Sequence, residues 1–210
     1  MENKNRVLVL APHTDDGELG CGGSISRYIS EGKEVFYAAF SKCTRSLPEG
    51  LPPDTLAQEM HEATKRLGIP KSNVILFDYD VRTFKQFRQE ILEDLIKLKK
   101  KINPDIIFIP NPRDIHQDHQ TISEEGLRAF KNNTVLGYEA PWNTISFDTE
   151  AFITLTKEDI ERKIVALEAY RSQQHRSYFK PEFIRSWAML RGVQISVSYA
   201  EAFEVIRMVI

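Results

Sequence analysis

Residues Arg6-Val7-Leu8-Val9-Leu10-Ala11 run straight into Pro12-His13-Thr14-Asp15-Asp16-Gly17-Glu18-Leu19-Gly20-Cys21-Gly22-Gly23, and this junction decides the fold. The first six residues are an almost unbroken apolar run. That pattern marks a strand covered on both faces, not one alternating between core and solvent. The polar turn is short, and Leu19 to Glu31 reads as a helix that ends at Gly32. A buried strand feeding a helix through a short turn opens a β-α-β arrangement.

The alternation continues downstream. Glu34 to Phe40 reads as a second strand, and Ser41 to Pro53 as a polar loop with three prolines. Asp54 caps a helix to Leu67, closed by Gly68 and stopped by Pro70. Asn73 to Asp78 is a third strand. Phe84 to Ile102 is a helix with Phe87, Ile91, Leu95 and Leu98 at three- and four-residue spacing. Asp105 to Pro110 is a fourth strand, followed by a helix from Gln117 to Phe130. The implied fold class is α/β, a Rossmann-like, doubly wound, mostly parallel sheet with helices on both faces, and residues 1–210 read as one domain. Beyond residue 134 the expected strands are Val135 to Tyr138, Thr144 to Phe147 and a terminal Ala202 to Ile210. The expected helices are Glu158 to Tyr170 and Glu182 to Leu190.

Among 210 residues, 28 are basic and 30 acidic, giving a net charge of -2. No basic footprint for nucleic acid or anionic membrane follows from this balance. The start, MENKNR before VLVLAP, faintly resembles an export signal, but its apolar run is short and no cleavage-type site follows. No stretch is long and apolar enough for a membrane span. Cys21 and Cys43 are too few for a disulfide scaffold, and the expected location is the cytoplasm. The oligomeric state is left open, a homo-oligomer included.

Two segments carry the chemistry: Ala11 to Gly23 after strand one, and Pro110 to His119 after strand four. In a sheet of order 3-2-1-4-5 those strands are neighbours at the topological switch point, where ligands bind at the carboxyl ends. Five groups then converge: His13, Asp15, Asp16, His116 and His119. Imidazole nitrogen with carboxylate oxygen suits zinc, with another divalent transition metal as the alternative. A catalytic site keeps three protein ligands and an open position, which leaves two groups for proton transfer and charge stabilisation.

At these positions the sequence resembles the PIG-L/LmbE family of de-N-acetylases. His13-Thr14-Asp15-Asp16 is similar to that family's His-Pro-Asp-Asp motif, and His116-Gln117-Asp118-His119 to its His-x-Asp-His motif. Gly20-Cys21-Gly22-Gly23, Glu59, Leu67-Gly68, Leu167, Tyr170, Ser172-Gln173, Ala200-Glu201 and Phe203 extend the likeness along nearly the whole chain. Thr14 in place of proline, and Gly17 where glutamate is frequent, bear on subfamily and substrate. The resemblance implies an LmbE-like fold and a zinc-dependent hydrolase that removes acetyl from an N-acetylglucosamine-type sugar conjugate. It further implies His13, Asp16 and His119 as metal ligands, and Asp15 as general base. His116 would stabilise the oxyanion or protonate the amine, and Asp118 would orient an imidazole. A carboxylate, Asp118 or Asp114, is expected to hold the other ring nitrogen of His116 and raise its pKa.

Other features read more plainly. Gly20 to Gly23 lacks dinucleotide-loop spacing, and Asp15, Asp16 and Glu18 would repel pyrophosphate, so these glycines are expected to seat the helix on the sheet. Arg45, Arg82 and Arg113, in loops at carboxyl ends of strands, are candidates to bind substrate. Trp142 is a candidate to stack on a sugar or to join the core, and His175 to line the site mouth. The rival functions are hydrolysis of another acyl amide or ester, and a non-catalytic sugar- or nucleotide-binding module.

Overall fold

The computed structural model describes residues 6–209. Residues 1–5, the start of the segment weighed as an export signal, and Ile210, the end of the expected last strand, lie outside the described residues. Among the described residues, seven strands form one sheet: β1 (Arg6–Ala11), β2 (Glu34–Ala39), β3 (Val74–Leu76), β4 (Ile106–Pro110), β5 (Thr134–Tyr138), β6 (Ala151–Leu155) and β7 (Tyr199–Arg207). Their order is β3-β2-β1-β4-β5-β7-β6. The first five pair in parallel, in the 3-2-1-4-5 order expected, and β7 runs antiparallel to both β5 and β6.

Among the described residues, six α-helices cover the sheet: α1 (Asp16–Ser30), α2 (Thr55–Leu67), α3 (Arg88–Ile102), α4 (Gln117–Ala129), α5 (Lys157–Leu167) and α6 (Pro181–Val193). Strand β1 shows why the runs are apolar throughout. Val7, Val9 and Ala11 face a core shared with Tyr37, Phe108 and residues of α1, α2, α5 and α6. Leu8 and Leu10 face the opposite core, built with Ile107, Ile109 and residues of α3 and α4. Both faces are removed from water, so neither can alternate with polar residues.

Helix α1 lies close against the sheet because it begins with glycines. A Cβ at Gly20 would run into the Tyr138 ring, and one at Gly23 would sit 2.6 Å from Leu155 Cδ1. The helix is kinked at Cys21 (φ -143°). Glu201 on β7 accepts from the backbone N–H groups of Gly23 and Ser24 at 3.0 and 2.7 Å, and pairs with buried Lys163 at 2.7 Å.

Two expectations need correction. Thr144 to Phe147 is not a strand. The N–H groups of Asn143 and Thr144 both turn back to the Ala140 carbonyl, and Thr144 makes an isolated bridge to Asp114. The edge strand beyond β7 is β6, in which the apolar stretch Ala151 to Ile153 is short and mostly half-buried. The helix expected from Phe84 begins instead as a 3₁₀ turn (Phe84–Phe87), and α3 starts at Arg88 because Phe87 is not helical (φ -113°, ψ 23°).

Candidate metal centre and active site

The β1–α1 and β4–α4 loops meet at the carboxyl ends of two neighbouring strands, in a cavity of about 270 Å³. It is lined by His13, Thr14, Asp15, Asp16, His116 and His119, together with residues of later loops. Three donor atoms form a tight triangle: His13 Nδ1 to Asp16 Oδ2 at 3.0 Å, His119 Nε2 to Asp16 Oδ2 at 3.2 Å, and His13 Nδ1 to His119 Nε2 at 3.2 Å. Ligands at zinc's usual bond lengths in a tetrahedron stand about 3.3 Å apart. The donor set therefore fits a divalent transition metal in both chemistry and spacing. His116 completes a wider histidine cluster, with ligand atoms all within 4.8 Å of one another.

Each histidine of the triangle has its far nitrogen held by a buried carboxylate. His13 Nε2 meets Asp118 Oδ2 at 3.1 Å, and His119 Nδ1 meets Asp114 Oδ2 at 2.7 Å. These partners fix ring orientation and leave Nδ1 of His13 and Nε2 of His119 toward the triangle, as carboxylates commonly do behind metal-binding histidines. Asp118 also accepts the N–H of Arg82 at 2.6 Å, and Asp114 the N–H of His116 at 2.8 Å.

Electrostatics follow from this packing. Burial lowers the pKa of His13, but Asp16 and Asp118 override it and hold the ring at about 9. Burial likewise opposes Asp16 and Asp114 at His119, which stands at about 10. Asp16 is buried, yet the two imidazolium rings hold it well below the usual carboxylate range. Asp15 is raised to about 6 by burial and by Asp16, against the pull of His13 and Arg176. It occupies the N-cap of α1 without capping it, so its carboxylate is not spent on the helix end.

His116 departs from expectation. Asp114 and Asp118 direct their carboxylates to other imidazoles, and His116 Nδ1 instead accepts the backbone N–H of Asp118 at 3.2 Å. Burial and the neighbouring His13 and His119 push its pKa down to about 4. With Nδ1 accepting, the neutral ring carries its hydrogen on Nε2.

Of the three candidate arginines, Arg82 lines the cavity, whereas Arg45 pairs with Asp80 at 2.8 Å and Arg113 with Asp148 and Glu204 at 2.7 Å. The Ser41 to Pro53 loop contributes Cys43 and Ser46 to one wall. Burial and Asp15 push the Cys43 thiol up to about 12. His175 does not line the cavity, but Gln173, Arg176 and Tyr178 do, and Trp142 stacks on Tyr178 with centroids 4.1 Å apart. Beneath the floor, buried Glu18 meets the hydroxyls of Tyr37 and Tyr170, which also reach the Thr14 carbonyl. Burial raises Glu18 to about 8, partly offset by the Tyr37 hydroxyl.

The family described as PIG-L, GlcNAc-PI de-N-acetylase, matches residues 8–130. The chain belongs to the PIG-L family. This PIG-L member is 30% identical over 177 residues to an Escherichia coli K12 protein named uncharacterized deacetylase YaiS, covering 81% of this chain and 93% of that one. It is 26% identical over 132 residues to the diacetylchitobiose deacetylase of Thermococcus kodakarensis, covering 59% of this chain and 48% of the relative. Its fold superposes on the N,N'-diacetylchitobiose deacetylase of Pyrococcus horikoshii with a TM-score of 0.81 at 24% identity, over 98% of this chain and 85% of the other. The PIG-L assignment makes this chain a member of a deacetylase family, with the LmbE-like architecture. Among the described residues, no helix is long and apolar enough to cross a membrane.

Proposed function

We propose that the chain is a zinc-dependent N-deacetylase that converts an N-acetylglucosamine-type sugar conjugate into a free amine and acetate. The observation carrying this reading is the donor triangle, with edges of 3.0 to 3.2 Å and a buried carboxylate behind each imidazole. In this reading His13, Asp16 and His119 hold the ion, and Asp118 and Asp114 orient the two rings. When bound, zinc supplies Lewis acidity to a water molecule and to the amide carbonyl.

The residues around the triangle divide the remaining work. Asp15 takes a proton from the attacking water; its elevated pKa of about 6 suits a base that must also return the proton. His116 presents Nε2–H to the oxygen on which negative charge develops, because its Nδ1 is already engaged by the Asp118 N–H. The carbon–nitrogen bond then breaks while the amine nitrogen receives the proton from Asp15. Water has added across the amide, with acetate and amine as products. The tetrahedral anion is favoured by a fixed donor that needs no reorganisation.

The sugar is supported by the Thermococcus relative, a diacetylchitobiose deacetylase, and by the Trp142–Tyr178 stack on the cavity wall. Acetate release by zinc-loaded protein from N-acetylated sugars, run beside N-acetylated amino acids, tests the reading. Turnover confined to the amino acids would replace the sugar with another acyl amide. Zinc-loaded protein that binds sugars without releasing acetate from any substrate would favour a binding module.

A further inference from the structure

We propose that the cavity selects N-acetylated sugars bearing an anionic substituent, a phosphate or a carboxylate, through Arg82 and Arg176; the inference rests on the sugar-deacetylase reading above. The arginines near the site differ in one respect. Arg45 and Arg113 are neutralised by carboxylates at 2.7 to 2.8 Å, away from the cavity lining. Arg82 and Arg176 line the cavity, and among the described residues neither takes part in an ion pair.

Both are held in place by other groups. Arg176 Nε donates to Gln173 Oε1 at 2.7 Å, and Nη1 donates to the Tyr178 hydroxyl. Its guanidinium carbon lies 5.7 Å from the Tyr178 ring centroid, and that ring stacks on Trp142. The cation is thus fixed on the aromatic wall before any ligand arrives, with Nη2 remaining to donate. A planar guanidinium suits a phosphate or carboxylate oxygen far better than it suits a neutral hydroxyl. Arg82 sits in the left-handed backbone region (φ 68°), which disfavours side chains, and Asp118 holds its N–H there. That hydrogen bond fixes the backbone from which Arg82 joins the cavity lining.

Steady-state kinetics on the zinc-loaded protein test this with two neutral substrates, N,N'-diacetylchitobiose and the methyl glycoside of N-acetylglucosamine. Three anionic ones run beside them: N-acetylglucosamine 1-phosphate, its 6-phosphate, and a carboxymethyl glycoside. We expect kcat/KM about tenfold or more higher for the best anionic substrate, and a preference that weakens with salt. The phosphate and carboxylate arms identify which anion is taken. Arg82→Gln and Arg176→Gln should bring the anionic-to-neutral ratio toward one, chiefly through KM. A parent ratio near one, or variants that lower both substrate classes equally, would overturn the proposal. The second result would assign Arg176 to Asp15 alone. Tryptophan fluorescence with the product amines, glucosamine and glucosamine 6-phosphate, gives a readout without turnover. Tighter binding of the phosphorylated amine, lost in the variants, supports the proposal, and equal binding overturns it. If no sugar releases acetate while that binding preference persists, deacetylation fails and anion recognition stands.

Discussion

Asp118→Asn isolates the charge that backs His13. Asp118 is fully buried; its Oδ2 accepts from His13 Nε2 at 3.1 Å and from the Arg82 N–H at 2.6 Å, and its Oδ1 from the Phe84 N–H at 3.4 Å. The two shorter contacts share one oxygen. An asparagine with its carbonyl in that place keeps both, and only the longest contact then faces a group unable to accept. The local backbone is retained, and what disappears is the negative charge that makes the His13 lone pair more basic. Loss of such a partner lowers metal affinity about ten- to hundredfold, or about 1.4 to 2.7 kcal/mol. Competition against a zinc chelator at neutral pH measures this directly. Thermal unfolding of the metal-free variant is the control, because Asp118→Ala would also orphan two backbone N–H groups at about 1 to 3 kcal/mol each. A zinc affinity within about threefold of the parent, in a variant that folds normally, would show that Asp118 does not support the ligand.

Asp15→Asn should retain zinc by elemental analysis and lose about a hundredfold or more of its turnover; near-normal turnover would move the base elsewhere. His116→Ala should likewise keep zinc and lower kcat about a hundredfold or more, as removal of an oxyanion donor does, and loss of the metal would make His116 a ligand. Before metal binds, His13 and His119 stand at about 9 and about 10, so zinc must displace their protons at neutral pH. Affinity should therefore rise with pH, and calorimetry in buffers of different ionisation enthalpy should find about two protons released near pH 7; pH-independent binding would contradict the ligand assignment. Glu18 is held at about 8 when folded against an ordinary 4.5. With the folded value raised, its contribution is complete below about pH 4.5 and is lost as pH rises toward about 8, reaching about 3 kcal/mol by pH 7. Urea unfolding of metal-free Glu18→Gln at acidic and neutral pH should show a flatter profile than the parent, and equal slopes would refute the assignment.

The first two-thirds of the fold was legible because its strands are buried on both faces. In β1 every residue from Val7 to Ala11 is fully buried, so the apolar run carried its own boundaries, and Gly32 and Gly68 marked helix ends with positive φ. The antiparallel edge was less legible. Strand β6 leans on β7 with a half-exposed surface, and its apolar stretch, Ala151 to Ile153, is just three residues long with no clean alternation. Several scattered matches also acquired a physical reason. Glu59 accepts both the N–H and the hydroxyl of Ser172, at 2.9 and 2.6 Å, tying α2 to the loop that carries Arg176. Glu201 answers the backbone groups freed where α1 kinks at Cys21.

In the site, the motifs identified which residues meet but not which nitrogen faces which partner. His13, His116 and His119 are equivalent as letters. Their roles diverge because two buried carboxylates reach two of the three rings, and a backbone N–H reaches the third. That difference depends on the dihedral angles of the β4–α4 loop, where His116 takes the extended N-cap conformation (φ -74°, ψ 122°) that aims Nδ1 at the first turn of α4. A histidine N-cap accepting the N–H of the second residue cannot also have that nitrogen protonated. The structure thereby converts an expected cation into a neutral donor. The positive charge available to a substrate must then come from elsewhere in the cavity, and Arg82 and Arg176 are the lining residues that hold it in every protonation state. Arg176 had no sequence signal of its own: it lies three residues after Gln173 in a polar run, and only the 3₁₀ turn at Arg171–Gln173 folds that run back over the site.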